Sequence, residues 1–354
     1  MLKNLERTFK PLIYKLLMKS AGKKQNPGAL NLNPGSRILV IRLNRIGDAL
    51  VTTPFIRYVK AATGCSIDIL ASTYNHFIFE NNPDVSKVIV FEKSYSFMKK
   101  LINDVNNSGY TAVFDLHDDV STTVSYLLAK FRVPHIIGLK KDNSILYTLT
   151  AERLDSETNH VIDRLLHIAA AAGINGAKDD VNVIYRIKEN SEKRAAKVLD
   201  EKFGEKKFLL GINISAGSMA RFWGVKNFRL LLRRLEDYNL NVLLMSSTRD
   251  LSLAFEIQPD KKKVFYTPDF DEFAAMVKRL DMIFTPDTST VHIASAFSVP
   301  LFGLYVRYMT NDMIWSPYRS DFEKIVTLEP NLDNVTFEDV ENKFLPFLEK
   351  YLNG

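Results

Sequence analysis

Strand-length apolar runs alternate with helix-length segments from residue 37 onward, and the alternation runs through twice. In the first pass the runs fall at 37–43, 66–71, 87–91, 111–116 and 134–138, with helical patterns at 49–63, 95–107, 120–132 and 160–173. In the second they fall at 208–214, 240–246, 262–266, 281–285 and 300–305, with helices at 191–203, 225–237, 250–257, 270–280 and 288–297. A βαβα rhythm of this kind predicts parallel strands covered by helices on both faces. The chain has 354 residues, and a prior of roughly 150 residues per domain gives two such units. The polar, turn-like stretch from Asn175 to Asp180 is the candidate linker. The expected fold class is therefore α/β: two Rossmann-like domains, residues 36–175 and 181–330, with parallel sheets facing a central cleft. Residues 336–354 read as one further amphipathic helix, a candidate to pack back on the N-terminal domain.

Charge and cysteine content narrow the functional classes. Lys3, Arg7, Lys10, Lys15, Lys19, Lys23 and Lys24 against Glu6 carry the whole net charge of +6, so the remaining chain is neutral. A nucleic-acid-binding body needs a basic face on the fold itself, and none is indicated. Within residues 1–35, Leu2, Leu5, Phe9, Leu12, Ile13, Leu16 and Leu17 recur at helical spacing between those cations. Such a basic amphipathic helix either lies on an anionic membrane surface or packs on the protein's own body. No apolar run approaches the ~18–20 residues that cross a bilayer. The single cysteine, Cys65, excludes an internal disulfide and a cysteine-based zinc cluster. The six histidines show no metal-binding spacing.

Four polar constellations stand where a strand gives way to a helix, the place where open α/β sheets bind ligands. The first follows strand 37–43 and contains Gly47 and Asp48; Asp48 either caps the next helix or serves a reaction. The second runs from Asn213 to Trp223. In it Ser215, Gly217 and Ser218 suit a phosphate cradle, and Arg221 adds a permanent positive charge. The third is Asp287-Thr288-Ser289-Thr290-Val291-His292, whose first residues open a helix N-terminus suited to phosphate. The fourth, Asp115 to Asp119 with His117 and Asp118, is polar enough to touch a second substrate. No Gly-x-Gly-x-x-Gly, Walker loop or nucleophile elbow is present. Asp269-Phe-Asp271 has the Asp-x-Asp form of metal-dependent sugar transferases, but it opens helix 270–280 and reads as a cap. No catalytic metal and no cofactor are expected.

In this order the constellations resemble the ADP-heptose:lipopolysaccharide heptosyltransferase family, glycosyltransferase family 9. The matching motifs are Ile46-Gly47-Asp48 with Thr52-Thr53-Pro54, Asn213 to Gly217 with Arg221-Phe222-Trp223, and Asp287 to His292. His160 and Arg164 on the helix between the halves look similar too. This chain has Arg221 where a Lys is usual, Ser289 for Gly, Ile214 and Gly224 for Pro, and Val306-Arg307-Tyr308 for a Gly-Pro-Thr-like turn.

The resemblance implies a GT-B architecture and an inverting, metal-independent transfer of a heptose, or a related sugar, from an ADP-activated donor to a lipid-anchored lipopolysaccharide core acceptor. Asp48 would be the general base. Asn44, Arg45, Gly47, His117 and Asp118 would bind the acceptor. Ser215, Gly217, Ser218, Arg221, Asp287, Thr288, Ser289, Thr290 and His292 would bind the donor. It also implies a cytoplasmic enzyme, peripheral at the inner face of the bacterial inner membrane. A transferase with another nucleotide sugar and a non-lipid acceptor, or a non-catalytic relative, are the alternatives.

Overall fold

The computed structural model describes residues 14–15, 17–19, 22–25, 27–177 and 181–353. Most of the basic N-terminal helix expected over residues 1–24, and residues 178–180 of the expected linker, lie outside the described residues. Among the described residues no helix is long and apolar enough to cross a membrane.

The chain divides into two compact units, 1–155 with 161–181, and 156–160 with 182–354. The first is built on β1 (Arg37–Arg42), β2 (Ser66–Ser72), β3 (Lys87–Phe91), β4 (Ala112–Asp115), β5 (His135–Leu139) and β6 (Leu149–Ala151). The second is built on β7 (Phe208–Asn213), β8 (Leu240–Ser246), β9 (Val264–Tyr266), β10 (Met282–Pro286), β11 (Leu301–Val306) and β12 (Phe322–Thr327). Each unit forms one six-stranded sheet, in the orders β3-β2-β1-β4-β5-β6 and β12-β11-β10-β7-β8-β9. Every recorded strand pairing is parallel, for example Ile38 with Ile67 and Ile212 with Phe284. Counted from its own first strand, each sheet has the Rossmann order 3-2-1-4-5-6, with the crevice for ligands at the carboxyl ends of the central strands.

The apolar runs become central strands because only a fully covered position accommodates them: Ile38, Leu39, Val40 and Ile41 of β1 are completely buried. Two strands escaped the sequence reading. β6 has only three residues, and β12 lies at a sheet edge where all but its last residue are half-buried, so neither shows a strong apolar run. The helix expected over 49–63 is two, Ile46–Leu50 and Thr53–Thr63. Pro54 lacks the N–H that a continuous helix would need, so it starts the second instead. That second helix stops at Gly64, whose φ of 67° is the left-handed conformation glycine adopts without strain.

Helix Phe337–Leu352 buries its apolar stripe in the core of the second unit, which corrects the expectation that it packs back on the N-terminal domain. Phe344 meets the stacked rings of Phe284 and Phe302 edge-on, with centroids 5.3 and 5.2 Å away. Aromatic pairs in such geometry add about 0.5–1.5 kcal/mol each beyond their buried area. Trp223 joins this core and anchors the loop after β7 by donating its indole N–H to the Val335 carbonyl at 2.8 Å. The boundary between units also differs from the expected single linker. Residues 156–160 belong to the second unit, with the Met313 amide donating to the Ser156 carbonyl at 2.7 Å, before helix Val161–Ala171 rejoins the first.

Candidate active site

At the carboxyl edge of the first sheet, β1 ends in Arg42, whose side chain is completely buried. An unpaired charge there would cost several kcal/mol, so its partners decide whether the turn is stable. The guanidinium donates to the Leu116 carbonyl, to the Asp48 carbonyl at 3.2 Å and to Asp48 Oδ1 at 3.0 Å. Asp48 lies in the first turn of helix Ile46–Leu50, and its Oδ2 accepts the Arg45 amide at 3.3 Å. Thr52 Oγ1 donates to the Asp48 carbonyl at 2.8 Å. The two readings of Asp48 therefore coexist. The carboxylate caps its own helix, yet its side chain keeps 17% of its surface exposed. Gly47 sits inside this first helical turn, not in a turn ahead of it.

Behind this turn lies a cluster with no local sequence signature. Asp115, at the end of β4, accepts from His117 Nδ1 at 2.6 Å, Lys141 Nζ at 3.0 Å and the Tyr147 hydroxyl at 2.6 Å. Burial works against a charged Asp115, but His117, Lys141 and Tyr147 outweigh it and hold the carboxyl well below the usual carboxylate range. Burial, with Asp115 alongside, drives the Tyr147 phenol well above its ordinary value. His117 Nε2 accepts the Leu43 amide at 3.1 Å, and Nδ1 faces Asp115. Both ring nitrogens are thus occupied on a buried side chain. His117 ties β4 to the end of β1.

Of the other expected acceptor residues, Asp118 is half-buried, with its carbonyl bonded by Arg153. Arg45 is exposed and Asn44 half-buried. The buried Asn75 shapes this turn, donating to the Arg42 and Asn44 carbonyls at 3.1 Å each. Sequence reasoning missed Arg42, Asn75, Lys141 and Tyr147. Only their contacts across the fold identify them.

At the carboxyl edge of the second sheet, Asn213 ends β7 and is buried. Its amide donates to Thr285 Oγ1 at 2.9 Å and Thr290 Oγ1 at 3.3 Å. Ser215 Oγ accepts the Ser247 amide at 2.7 Å, so this hydroxyl braces the loop against the end of β8. Gly217 and Ser218 lie exposed at the loop tip. Arg221 reaches across to Asp287, donating to its carbonyl at 2.8 Å and lying 3.4 Å from its carboxylate. Burial pushes the Asp287 carboxyl up, and Arg221 partly offsets that.

Thr288 caps helix Ser289–Ala296 by accepting the Thr290 amide at 3.1 Å. An anion at such an end meets the positive pole of the helix and its leading N–H groups. His292, one turn in, is buried, and its Nδ1 has no partner. Burial, with His160 nearby, lowers its pKa to about 3, so the ring is neutral near pH 7. Its ring lies 6.1 Å from that of Trp315. The ring of His160, which ends this unit's short early segment, lies 5.1 Å from that of Tyr318, tilted by 31°. The Tyr305 hydroxyl is also buried without a partner, and its ring fills the space beside Gly303 that any side chain there would need.

The structure thus gathers Asn213, Ser215, Arg221, Asp287, Thr288, Thr290 and His292 at one sheet edge, with Ser289 half-buried among them. A cavity of about 690 Å³ lies elsewhere, at the amino ends of β7, β8 and β10. Its lining mixes Lys206, Lys207, Lys278 and Arg279 with Glu192, Asp200, Glu205 and Asp281, which favours neither an anion nor a cation. Asp269 caps its helix by accepting the Asp271 amide at 2.8 Å, while Asp271 accepts from the Tyr185 hydroxyl and the Lys188 amide. Both carboxylates of the Asp-x-Asp are therefore structural. Among the described residues no three His, Cys, Asp or Glu side chains group as metal ligands would.

Two Rossmann-type domains with parallel sheets of this order make up the GT-B fold of glycosyltransferases. The chain belongs to glycosyltransferase family 9 (heptosyltransferase), whose model matches residues 98–344. That span takes in the Asp115 cluster and the whole second-unit site but begins after Asp48. The chain is 19% identical over 317 residues to the lipopolysaccharide core heptosyltransferase OpsX of Haemophilus influenzae, covering 86% of this chain and 85% of that protein. Its fold is similar to that of a glycosyltransferase family 9 protein from Veillonella parvula, with a TM-score of 0.78 at 20% identity, over 92% of this chain and all of that one. It is also similar to ADP-heptose lipopolysaccharide heptosyltransferase II of E. coli, with a TM-score of 0.69 at 19% identity, over 89% of this chain and 98% of that one. The E. coli heptosyltransferase WaaC with ADP gives a TM-score of 0.69 at 16% identity, over 89% and 99%.

Proposed function

We propose that this glycosyltransferase moves a heptose from an ADP-activated donor to a lipopolysaccharide core acceptor, with inversion at the anomeric carbon and without a metal ion. The observation that carries the reading is the Asp48 carboxylate, fixed by Arg42 at the carboxyl end of β1 yet partly open to solvent. A carboxylate held in place can take the proton of an acceptor hydroxyl as that oxygen attacks the anomeric carbon, since reach comes first in base catalysis. The leaving nucleoside diphosphate carries the charge that must be stabilised. Arg221 has five N–H donors and spends only some of them on Asp287, so it suits the phosphates, together with the N-terminus of helix Ser289–Ala296. Asp287, an acceptor when ionised, suits sugar or ribose hydroxyls instead. Neutral His292 can bond the donor through its unpartnered nitrogen but adds no charge.

Residues 1–24 would hold the enzyme to an anionic membrane surface on the cytoplasmic face, where a lipid-anchored acceptor is presented. The test is transfer from ADP-heptose to a heptose-deficient core oligosaccharide, followed by mass spectrometry and by NMR of the new linkage. The reading expects a heptosylated product of inverted anomeric configuration, formed equally in the presence of a chelator. Transfer from a UDP-sugar but not from ADP-heptose would replace the donor, and retained configuration would remove the single-displacement mechanism.

A further inference from the structure

The buried guanidinium of Arg42 touches no solvent, so no substrate reaches it. All three of its recorded bonds go to the turn that carries Asp48 or to the neighbouring strand end. Of the two carboxylate oxygens, Oδ1 is occupied by that guanidinium at 3.0 Å, while Oδ2 meets only the Arg45 amide at 3.3 Å. A carboxylate has about four acceptor sites, and the less engaged oxygen is the one with a lone pair to offer.

We propose that Arg42 is a positioning residue that acts through Asp48, turning the carboxylate so that Oδ2 receives the acceptor proton. This deepens the proposed function and rests on Asp48 being its base. In the step itself the acceptor oxygen forms its bond to the anomeric carbon as the bond to the diphosphate oxygen breaks. The hydroxyl proton passes to Oδ2, and the bonding pair leaves with the nucleoside diphosphate.

The remainder of the cradle keeps Arg42 from following the carboxylate. Its Nη1 is held by the Leu116 carbonyl, and the flanking residues on both strands are held by His117, through its bonds to the Leu43 amide and to Asp115. Thr52 fixes the Asp48 main chain from the other side. A lysine at position 42 would keep the charge but not the planar fork that spans Leu116, the Asp48 carbonyl and Oδ1 together.

A double-mutant cycle tests this on the full-length enzyme, with ADP-heptose and a heptose-deficient core oligosaccharide as substrates. Arg42→Lys is expected to lower kcat by about 10- to 100-fold while the KM of each substrate stays within about twofold. In an Asp48→Asn background the same change is expected to alter the residual rate by less than about twofold, because a group acting through Asp48 has nothing left to position. If Arg42→Lys does not unfold cooperatively, Thr52→Val removes a single bond to the Asp48 carbonyl and is read in the same cycle, with a severalfold loss of kcat expected. An equal loss in both backgrounds, or a raised acceptor KM at unchanged kcat, overturns the positioning role and leaves Asp48 as the base. An Asp48→Asn enzyme that turns over at the wild-type rate removes the base assignment, and this inference with it.

Discussion

The two sheets share one strand order, yet their carboxyl edges are finished in opposite ways. In the first unit the buried charges are closed on one another. Arg42 meets Asp48, and Asp115 meets His117, Lys141 and Tyr147. In the second unit the polar groups beside helix Ser289–Ala296 are less engaged: His292 Nδ1 and the Tyr305 hydroxyl are buried with no partner, and Arg221 remains 34% exposed, although the first unit also buries unpartnered atoms elsewhere, such as Asn143 Oδ1 and Asp68 Oδ1. A satisfied buried network rigidifies, whereas an unsatisfied one costs stability until a ligand completes it. Under the proposed function, the first edge would hold one carboxylate still and the second would be completed by the donor.

The largest effect expected from breaking this contrast is on turnover. Asp48→Asn should reduce the transfer rate by roughly 10²–10⁴-fold, the usual range for a lost general base, while ADP still raises the melting temperature as in the wild type. Lost stabilisation by ADP would instead place Asp48 in donor binding. Next is stability of the first unit. Lys141→Met leaves Asp115 buried without its cation and should cost about 3–5 kcal/mol in urea unfolding, the penalty for breaking a buried ion pair. A loss below about 1 kcal/mol would mean the cluster is more hydrated than its burial indicates.

In the second unit, Arg221→Ala should weaken ADP binding by about 1.5–3 kcal/mol in calorimetry, the worth of hydrogen bonds to a charged group. Unchanged affinity would exclude Arg221 from the phosphate site. Acid should separate the units further. His292 has its folded pKa lowered to about 3, so the unfolded state binds the proton first. Its contribution to stability is complete above about pH 6.5 and is lost as pH falls toward 3, with a slope of at most about 1.4 kcal/mol per pH unit. His292→Asn should flatten that limb. Asp115 acts only at lower pH: its carboxyl is depressed, so its contribution holds above the ordinary carboxylate range and fades below it. The smallest effect is at the loop tip. Gly217→Ala places a methyl group where nothing lies within 4 Å and should shift stability by no more than about 0.5 kcal/mol. Any loss of ADP affinity in that variant would report backbone approach to the phosphates.

Much of this was legible in the sequence because it rests on local chemistry. The fully buried strands announced themselves as apolar runs, and the capping role of Asp269 follows from residue type at a helix start. The edge strand β12 did not, since a half-buried strand carries no continuous apolar signal. The break at Thr52–Pro54 was present in the sequence but was overridden by the longer helical pattern around it. The structural bonds of His117 were hidden for a different reason. Its residue type suggests a ligand contact, and only the Leu43 amide, 74 positions away in sequence, shows that the ring is already occupied.

The sequence by itself determined the two βα units, the turns at which polar residues gather, and the family to which they belong, because periodicity and residue type act over a few neighbouring positions. Only the tertiary structure decided which of those polar groups are spent on one another and which are left open. Whether a buried charge finds its partner depends on strands and loops far apart along the chain, and no local pattern encodes that distance.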